Sequence, residues 1–264
     1  MANLEIKETV LITGASSGIG LELAKCFAAD QSNLLLVARS TTALEMLAEE
    51  LRHEHDIEVH VITADLAQAG SAQFVFDEVK GRGLVVDVLV NNAGFGLHGA
   101  FAELPLARQL EMIQVNITAL VALTGLFLPG MIERRRGGIL NVGSVAGFLA
   151  GPNMAVYYAT KAFVMSYSEA LHEELCGTGV LITDLCPGPT ETNFSEVARS
   201  HRIRNTQTKK MSAATVARLG YADFRAGKCL SITGLTNKIL AAIASKILPR
   251  KVSRKLSKHY NTLK

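Results

Sequence analysis

The chain has 264 residues, 48% of them hydrophobic and 19% charged. That is enough apolar material for one large α/β core and excludes a disordered chain. Four Cys with no C-x-x-C pair exclude a disulfide scaffold and a metal clip, and fit buried thiols in a reducing cytosol. The net charge of +3 hides a division: residues 201–264 carry fifteen Lys and Arg against one acid, Asp223, whereas the first 200 carry twelve against twenty-three acids.

In chain order, short runs rich in Val, Ile and Leu predict strands at 9–13, 33–38, 58–63, 85–90, 138–142, 180–186 and 229–232. Amphipathic patterns between them predict helices near 18–29, 41–54, 71–80, 105–132, 155–176 and 212–226. Nearly continuous apolar strands alternating with helices indicate a doubly wound parallel sheet covered on both faces. No repeat or low-complexity linker divides the chain, so residues 1–234 read as one catalytic domain and 235–264 as a basic C-terminal helical extension. In that extension Ile239, Ile243 and Ile247 share one helical face, with Leu240, Ala244 and Leu248 beside them. Pro249 then interrupts, and Val252, Leu256 and Tyr260 recur every four residues among basic side chains. The start lacks the features of a signal peptide, and the longest apolar stretch, residues 119–129, is shorter than the roughly 20 residues of a membrane span. A cytoplasmic protein is expected, at most peripheral at a membrane.

The first strand runs into Thr13-Gly14-Ala15-Ser16-Ser17-Gly18-Ile19-Gly20 and then a helix. Glycines permit a tight turn and close approach of backbone N–H groups to a pyrophosphate, and the helix N-terminus adds positive dipole. The second strand ends in Ala38-Arg39, where an NAD-selective site places an acid; a guanidinium suits a 2′-phosphate. Tyr157 and Lys161 stand at i and i+4 of a predicted helix and meet on one face. A free phenol has a pKa near about 10, and bringing it to neutrality takes roughly 4 kcal/mol of phenolate stabilisation, which a nearby ammonium can supply.

Together with Asn91-Asn92-Ala93-Gly94, Ser144 and Pro187-Gly188, these motifs resemble the short-chain dehydrogenase/reductase family over roughly residues 8–232. The resemblance implies a Rossmann-type seven-stranded sheet in the order 3-2-1-4-5-6-7. It implies NADP(H) as cofactor and a small-molecule carbonyl or alcohol as substrate. Tyr157 would be the general acid, Lys161 would lower its pKa and hold the ribose, and Ser144 would bind the carbonyl oxygen. Asn116 would steady a relay water. Cofactor contacts would come from Gly14, Ser16, Ser17, Gly18, Ile19, Gly20, Arg39, Asp65, Leu66, Asn91, Ala93, Gly94, Tyr157, Lys161, Pro187, Gly188, Thr190 and Thr192. Phe95, His98, Phe148 and Phe194 would join Ser144 and Tyr157 around an apolar substrate, 3-oxoacyl, steroid-like or a small ketone. The resemblance also implies a homo-dimer or homo-tetramer. Nucleic acid is not an expected partner, and no metal site is expected: His53 and His55 read as solvated loop histidines. Two other readings stand beside this one. One is a non-catalytic NADP-binding scaffold, which the intact Tyr157 and Lys161 oppose. The other is a peripheral reductase whose basic tail meets anionic membrane.

Overall fold

The apolar runs become strands because each can bury both faces. In the computed structural model, which describes residues 7–198, 210–246 and 250–262, β1 (Thr9–Thr13) lies wholly buried at the centre of the sheet. Val10 and Ile12 face one core with Leu23, Phe27, Leu44, Leu51 and Phe224. Leu11 faces the other with Val75, Val79, Leu123, Phe127 and Met131. The first core is closed by α1 (Gly18–Ala29), α2 (Thr41–Glu54) and α8 (Ala213–Arg225). The second is closed by α3 (Ser71–Gly81), α5 (Leu120–Glu133) and α6 (Ala155–Glu174).

The other strands of the sheet are β2 (Asn33–Ala38), β3 (Val59–Thr63), β4 (Val88–Asn91), β5 (Gly137–Val142), β6 (Val180–Cys186) and β9 (Leu230–Ile232). All pairings are parallel, in the order β3-β2-β1-β4-β5-β6-β9. The order reverses at β1, between β2 and β4, which opens a crevice at the strand ends where ligands of such sheets bind. The seven-stranded Rossmann-type sheet is therefore as expected.

Three features differ from the sequence reading. The fourth strand starts three residues late, because Asp87 pairs its backbone and carboxylate with Thr9 while Val85 stays exposed. The helix expected at 105–132 is composite: α4 (Leu106–Ile113) passes through a π-helical turn (Gln114–Ala119) into α5. This 28-residue run is apolar and long enough to cross a membrane, yet it packs Leu120, Leu123, Phe127 and Met131 into the core. Finally, β7 (Thr190–Glu191) and β8 (Met211–Ser212) form a two-stranded parallel ladder over the crevice that no sequence pattern announces, with the short α7 (Phe194–Val197) between them.

After β9 come α9 (Leu235–Lys246) and α10 (Arg250–Tyr260). Leu248 and Pro249, together with the side chains of Ala244, Lys246, Ile247, Arg250, Leu256 and Tyr260, fall outside the described residues and side chains.

Candidate active site

One cleft of about 1240 Å³ runs across the crevice. A single drug-sized ligand occupies a pocket of about 300–1,000 Å³, so this one has room for a dinucleotide and a second molecule. Its floor is the turn between β1 and α1. Gly14 adopts φ +66°, and a Cβ there would lie 2.8 Å from the Asn92 amide. Gly20 lies under the turn, and a Cβ there would overlap the Gly14 carbonyl and Asn92. The Asn92 side chain donates to the carbonyls of Thr13 (2.9 Å) and Gly14 (3.1 Å), tying the turn to the end of β4.

The N-terminus of α1 opens into the cleft through Ser17, Gly18 and Ile19. Ser17 makes no side-chain cap, and the first turn carries no acid. Those free N–H groups and the positive helix end form the donor set a pyrophosphate requires. At the adenine end Arg39 lines the cleft and makes no ion pair among the described residues. Beside it Ser40 caps α2, whose first turn also lacks an acid. The residues present therefore fit an NADP-type dinucleotide.

The reacting end is set by β5 and α6. Ser144 follows β5, and its hydroxyl hydrogen-bonds the Tyr157 phenol. Ser144 Oγ also accepts from the Ala146 N–H at 3.1 Å, which holds it in place. The Tyr157 ring packs against Phe194, with centroids 5.2 Å apart. Lys161, one helical turn on, donates to the Val142 carbonyl at 2.7 Å and sits 6.0 Å from the Tyr157 ring centre. All three side chains are buried at the cleft wall. Burial pushes the Tyr157 phenol well above its usual range, against the pull of Ser144. Burial likewise brings Lys161 down to about 8, while the Asp184 carboxylate pulls the other way.

Asp184 stands beneath them on β6, fully buried, and burial raises its carboxyl to about 6. Its Oδ2 accepts from the Cys186 thiol at 3.2 Å, and Gly143 leaves room for it because a Cβ there would overlap Oδ1. Near neutrality Asp184 is an anion facing a cationic Lys161. Asp184→Asn removes the charge that favours the ammonium, so Lys161 should lose its proton at lower pH. We expect the alkaline limb of kcat/KM to move down by about one unit or more. An unmoved limb in the pH–rate profile would show that Asp184 is not felt at Lys161.

Of the residues singled out in the sequence, Gly14, Ser16, Ser17, Gly18, Ile19, Arg39, Asp65, Leu66, Ala93, Gly94, Phe95, Ser144, Tyr157, Lys161, Pro187, Gly188, Thr190, Thr192 and Phe194 line the cleft. Five do not. Gly20 lies under the turn. Asn91 is buried below the loop, donating to Thr124 Oγ1 and Asn141 Oδ1, and its neighbour Asn92 takes the lining position. Asn116 lies in the π-helical turn. Its Oδ1 accepts from the Phe95 N–H, and its Nδ2 donates to the Phe95 carbonyl and Thr160 Oγ1. That amide is committed, so any role toward Lys161 falls to its backbone. Phe148 sits in the short 3₁₀ turn (Val145–Phe148), outside the lining, and Leu149 and Met154 take the apolar positions instead. His98 points away from the cleft: its Nε2 lies 2.7 Å from the Asn261 carbonyl.

The sequence reading also missed a wall contributed by the C-terminal helices. Asn237, Leu240 and Ile243 from α9, Ser257 from α10, and Asn261 just beyond it line the cleft. Asn261 is pinned from several sides. Its side chain donates to the Pro152 carbonyl (3.0 Å) and accepts from the Tyr158 hydroxyl (3.3 Å). Its carbonyl meets His98 and, at 3.3 Å, the Asn153 amide.

Comparison with known proteins agrees with this geometry. Residues 8–203 match the family model described as short chain dehydrogenase. Sulfoacetaldehyde reductase 2 of Chromohalobacter salexigens is 41% identical over 73% of this chain and 76% of its own length. The human very-long-chain 3-oxoacyl-CoA reductase is 32% identical over 73% of this chain, and the match spans 62% of that relative. Among solved structures, a short-chain dehydrogenase from Sphingobium yanoikuyae in complex with NADPH superposes with a TM-score of 0.80 at 31% identity, covering 91% of this chain and 96% of that one.

Proposed function

Because the chain belongs to the short-chain dehydrogenase/reductase family, oxidoreductases of carbonyl and CH–OH groups that use NAD(P)(H), we propose that it reduces a lipophilic ketone or aldehyde to the alcohol, or the reverse, with NADP(H). The observation that carries this is the buried Tyr157 phenol, hydrogen-bonded to Ser144 with the Lys161 ammonium behind it, at the wall of a cleft that suits a dinucleotide. When bound, the cofactor supplies or accepts the hydride. Ser144 donates a hydrogen bond to the substrate oxygen and orients it. Tyr157, whose proton is held firmly by burial, delivers that proton to the same oxygen as negative charge develops there. Lys161 then stabilises the phenolate, most strongly because the site is dry. Gly18, Ser16 and Thr192 would hold the phosphates, Arg39 the 2′-phosphate, and Asp65 the adenine end. Phe95, Met154 and Phe194 favour an apolar substrate over a sugar.

An NADPH-oxidation screen over 3-oxoacyl thioesters, steroid ketones, quinones and small aldehydes tests the reading. Turnover of at least one lipophilic class is expected. NADPH binding with no turnover across the panel would leave the scaffold reading instead.

A second observation bears on partners. The outer face of α9 and α10 exposes Leu235, Ile239 and Val252 beside Lys238, Lys251, Arg254, Lys255 and Lys258. We read this as a surface that meets anionic membrane while the inner face serves the cleft. Co-sedimentation with phosphatidylserine vesicles should occur at low salt and fade as the Debye length falls from about 10 Å at 0.1 M to about 3 Å at 1 M. Absence of binding at low salt would remove this reading. The exposed Phe101, Leu106, Leu110 and Phe163 we assign to contact with a second copy of the chain. Light scattering should then give a dimer or tetramer mass.

A further inference from the structure

The Ser257 hydroxyl is the one cleft-lining side-chain group whose polar atom is both buried and without a hydrogen-bond partner among the described residues. Ser257 is only 5% exposed. A buried hydroxyl that bonds nothing is costly, and native chains retain few of them without a use. Its position is not left to chance. The Asn261 N–H bonds the Ser257 carbonyl at 2.9 Å, and Asn261 is anchored to Pro152, Asn153, Tyr158 and His98. The helix carrying Ser257 is therefore registered against the segment that holds Tyr157.

We infer that Ser257 on α10 is a substrate-binding residue, receiving a neutral hydroxyl or carbonyl oxygen that the substrate carries at a fixed distance from its reacting carbonyl. This rests on the carbonyl-reductase reading above and narrows its substrate class. The stretch between the two polar ends is apolar, with Leu149, Met154, Phe194, Leu240 and Ile243 on the cleft wall. The charged residues of the lining are Arg39, Asp65, Arg108, Glu111, Lys161 and Lys210. None stands on α10 or on residues 149–158, which Asn261 touches, and Arg108 is already paired with Glu111. A carboxylate buried at Ser257 would lack a counter-ion, whereas a neutral oxygen needs only the hydroxyl. The substrate is thus an elongated lipophilic ketone or aldehyde with a remote neutral oxygen.

The test uses methyl ketones of rising chain length, each with a methyl, hydroxyl or carboxylate terminus, assayed with NADPH on the full chain and on Ser257→Ala. The hydroxyl series should exceed the methyl series in kcat/KM by about fivefold to tenfold, at one chain length. Carboxylates should be poorest. Ser257→Ala should erase that advantage, change the methyl series less than about twofold, and keep the native melting temperature, since no bond within the described chain is lost. A hydroxyl advantage that is absent, that persists in Ser257→Ala, or that yields to the carboxylate series would overturn the assignment. If no ketone is reduced at all, the reaction reading fails, and titration calorimetry of the same probes into the NADP-loaded chain still judges the subsite. There the hydroxyl member must bind more tightly than the methyl member by a margin that Ser257→Ala removes; equal affinities overturn it.

Discussion

Tyr157→Phe should lower kcat by about 10²-fold to 10⁴-fold while the dissociation constant for NADPH stays within about twofold of native. The ring keeps its packing against Phe194 and Tyr158, so the fold has little reason to respond. What is lost is the proton that burial holds on the phenol until an oxyanion forms beside it. Lys161→Ala should behave differently and damage both kcat and NADPH affinity, because Lys161 lies between Tyr157 and the dinucleotide cleft. Stopped-flow turnover and fluorescence titration on the two variants separate the effects. Near-native turnover by Tyr157→Phe on a substrate of the native chain would remove Tyr157 from the chemistry.

The parts of the site that lie in continuous segments were legible before the structure. Strands such as 33–38 and 180–186 appear at the expected residues, because a run buried on both faces leaves an unbroken apolar stretch between turn residues. Gly14 to Gly20, Tyr157 with Lys161, and Ala38-Arg39 are likewise local. What escaped depends on distance along the chain. Nothing near His98 says that it will meet Asn261, and a serine such as Ser257 has no periodicity to betray a buried position. The π-helical turn escaped because its Gln114-to-Ala119 sequence satisfies an ordinary helical pattern; the committed Asn116 amide marks it only once Phe95 and Thr160 are in place. Asn91 and Asn92 are adjacent and identical, so only the strand end decides which one is buried and which faces the cleft.

The second large effect concerns cofactor choice. The native chain should bind NADPH at least about tenfold more tightly than NADH, a difference of about 1.4 kcal/mol. Arg39 supplies the planar donor set that suits a phosphate, and Ser40 with the acid-free first turn of α2 adds a positive helix end beside it. Replacing Ala38 by Asp and Arg39 by Ala presents a carboxylate to the ribose hydroxyl and withdraws the guanidinium. The preference should invert, so that the ratio of the two constants moves by about 100-fold between the two proteins. Fluorescence titration of both cofactors into both proteins measures it. Equal affinities in the native chain would show that Arg39 does not read the phosphate.

The anchoring of Asn261 also orders events in time. It joins His98 across 163 positions and Tyr158 across 103. A ribosome adding about 5–20 residues per second delivers Asn261 roughly 8–33 s after His98. Throughout that interval the nascent chain already contains β1, the glycine turn and Arg39, so the phosphate cradle can assemble early. The substrate wall cannot, because the residue that seats α10 is among the last to be made. The growing polypeptide is therefore equipped to take up its nucleotide before it can discriminate among carbonyl compounds.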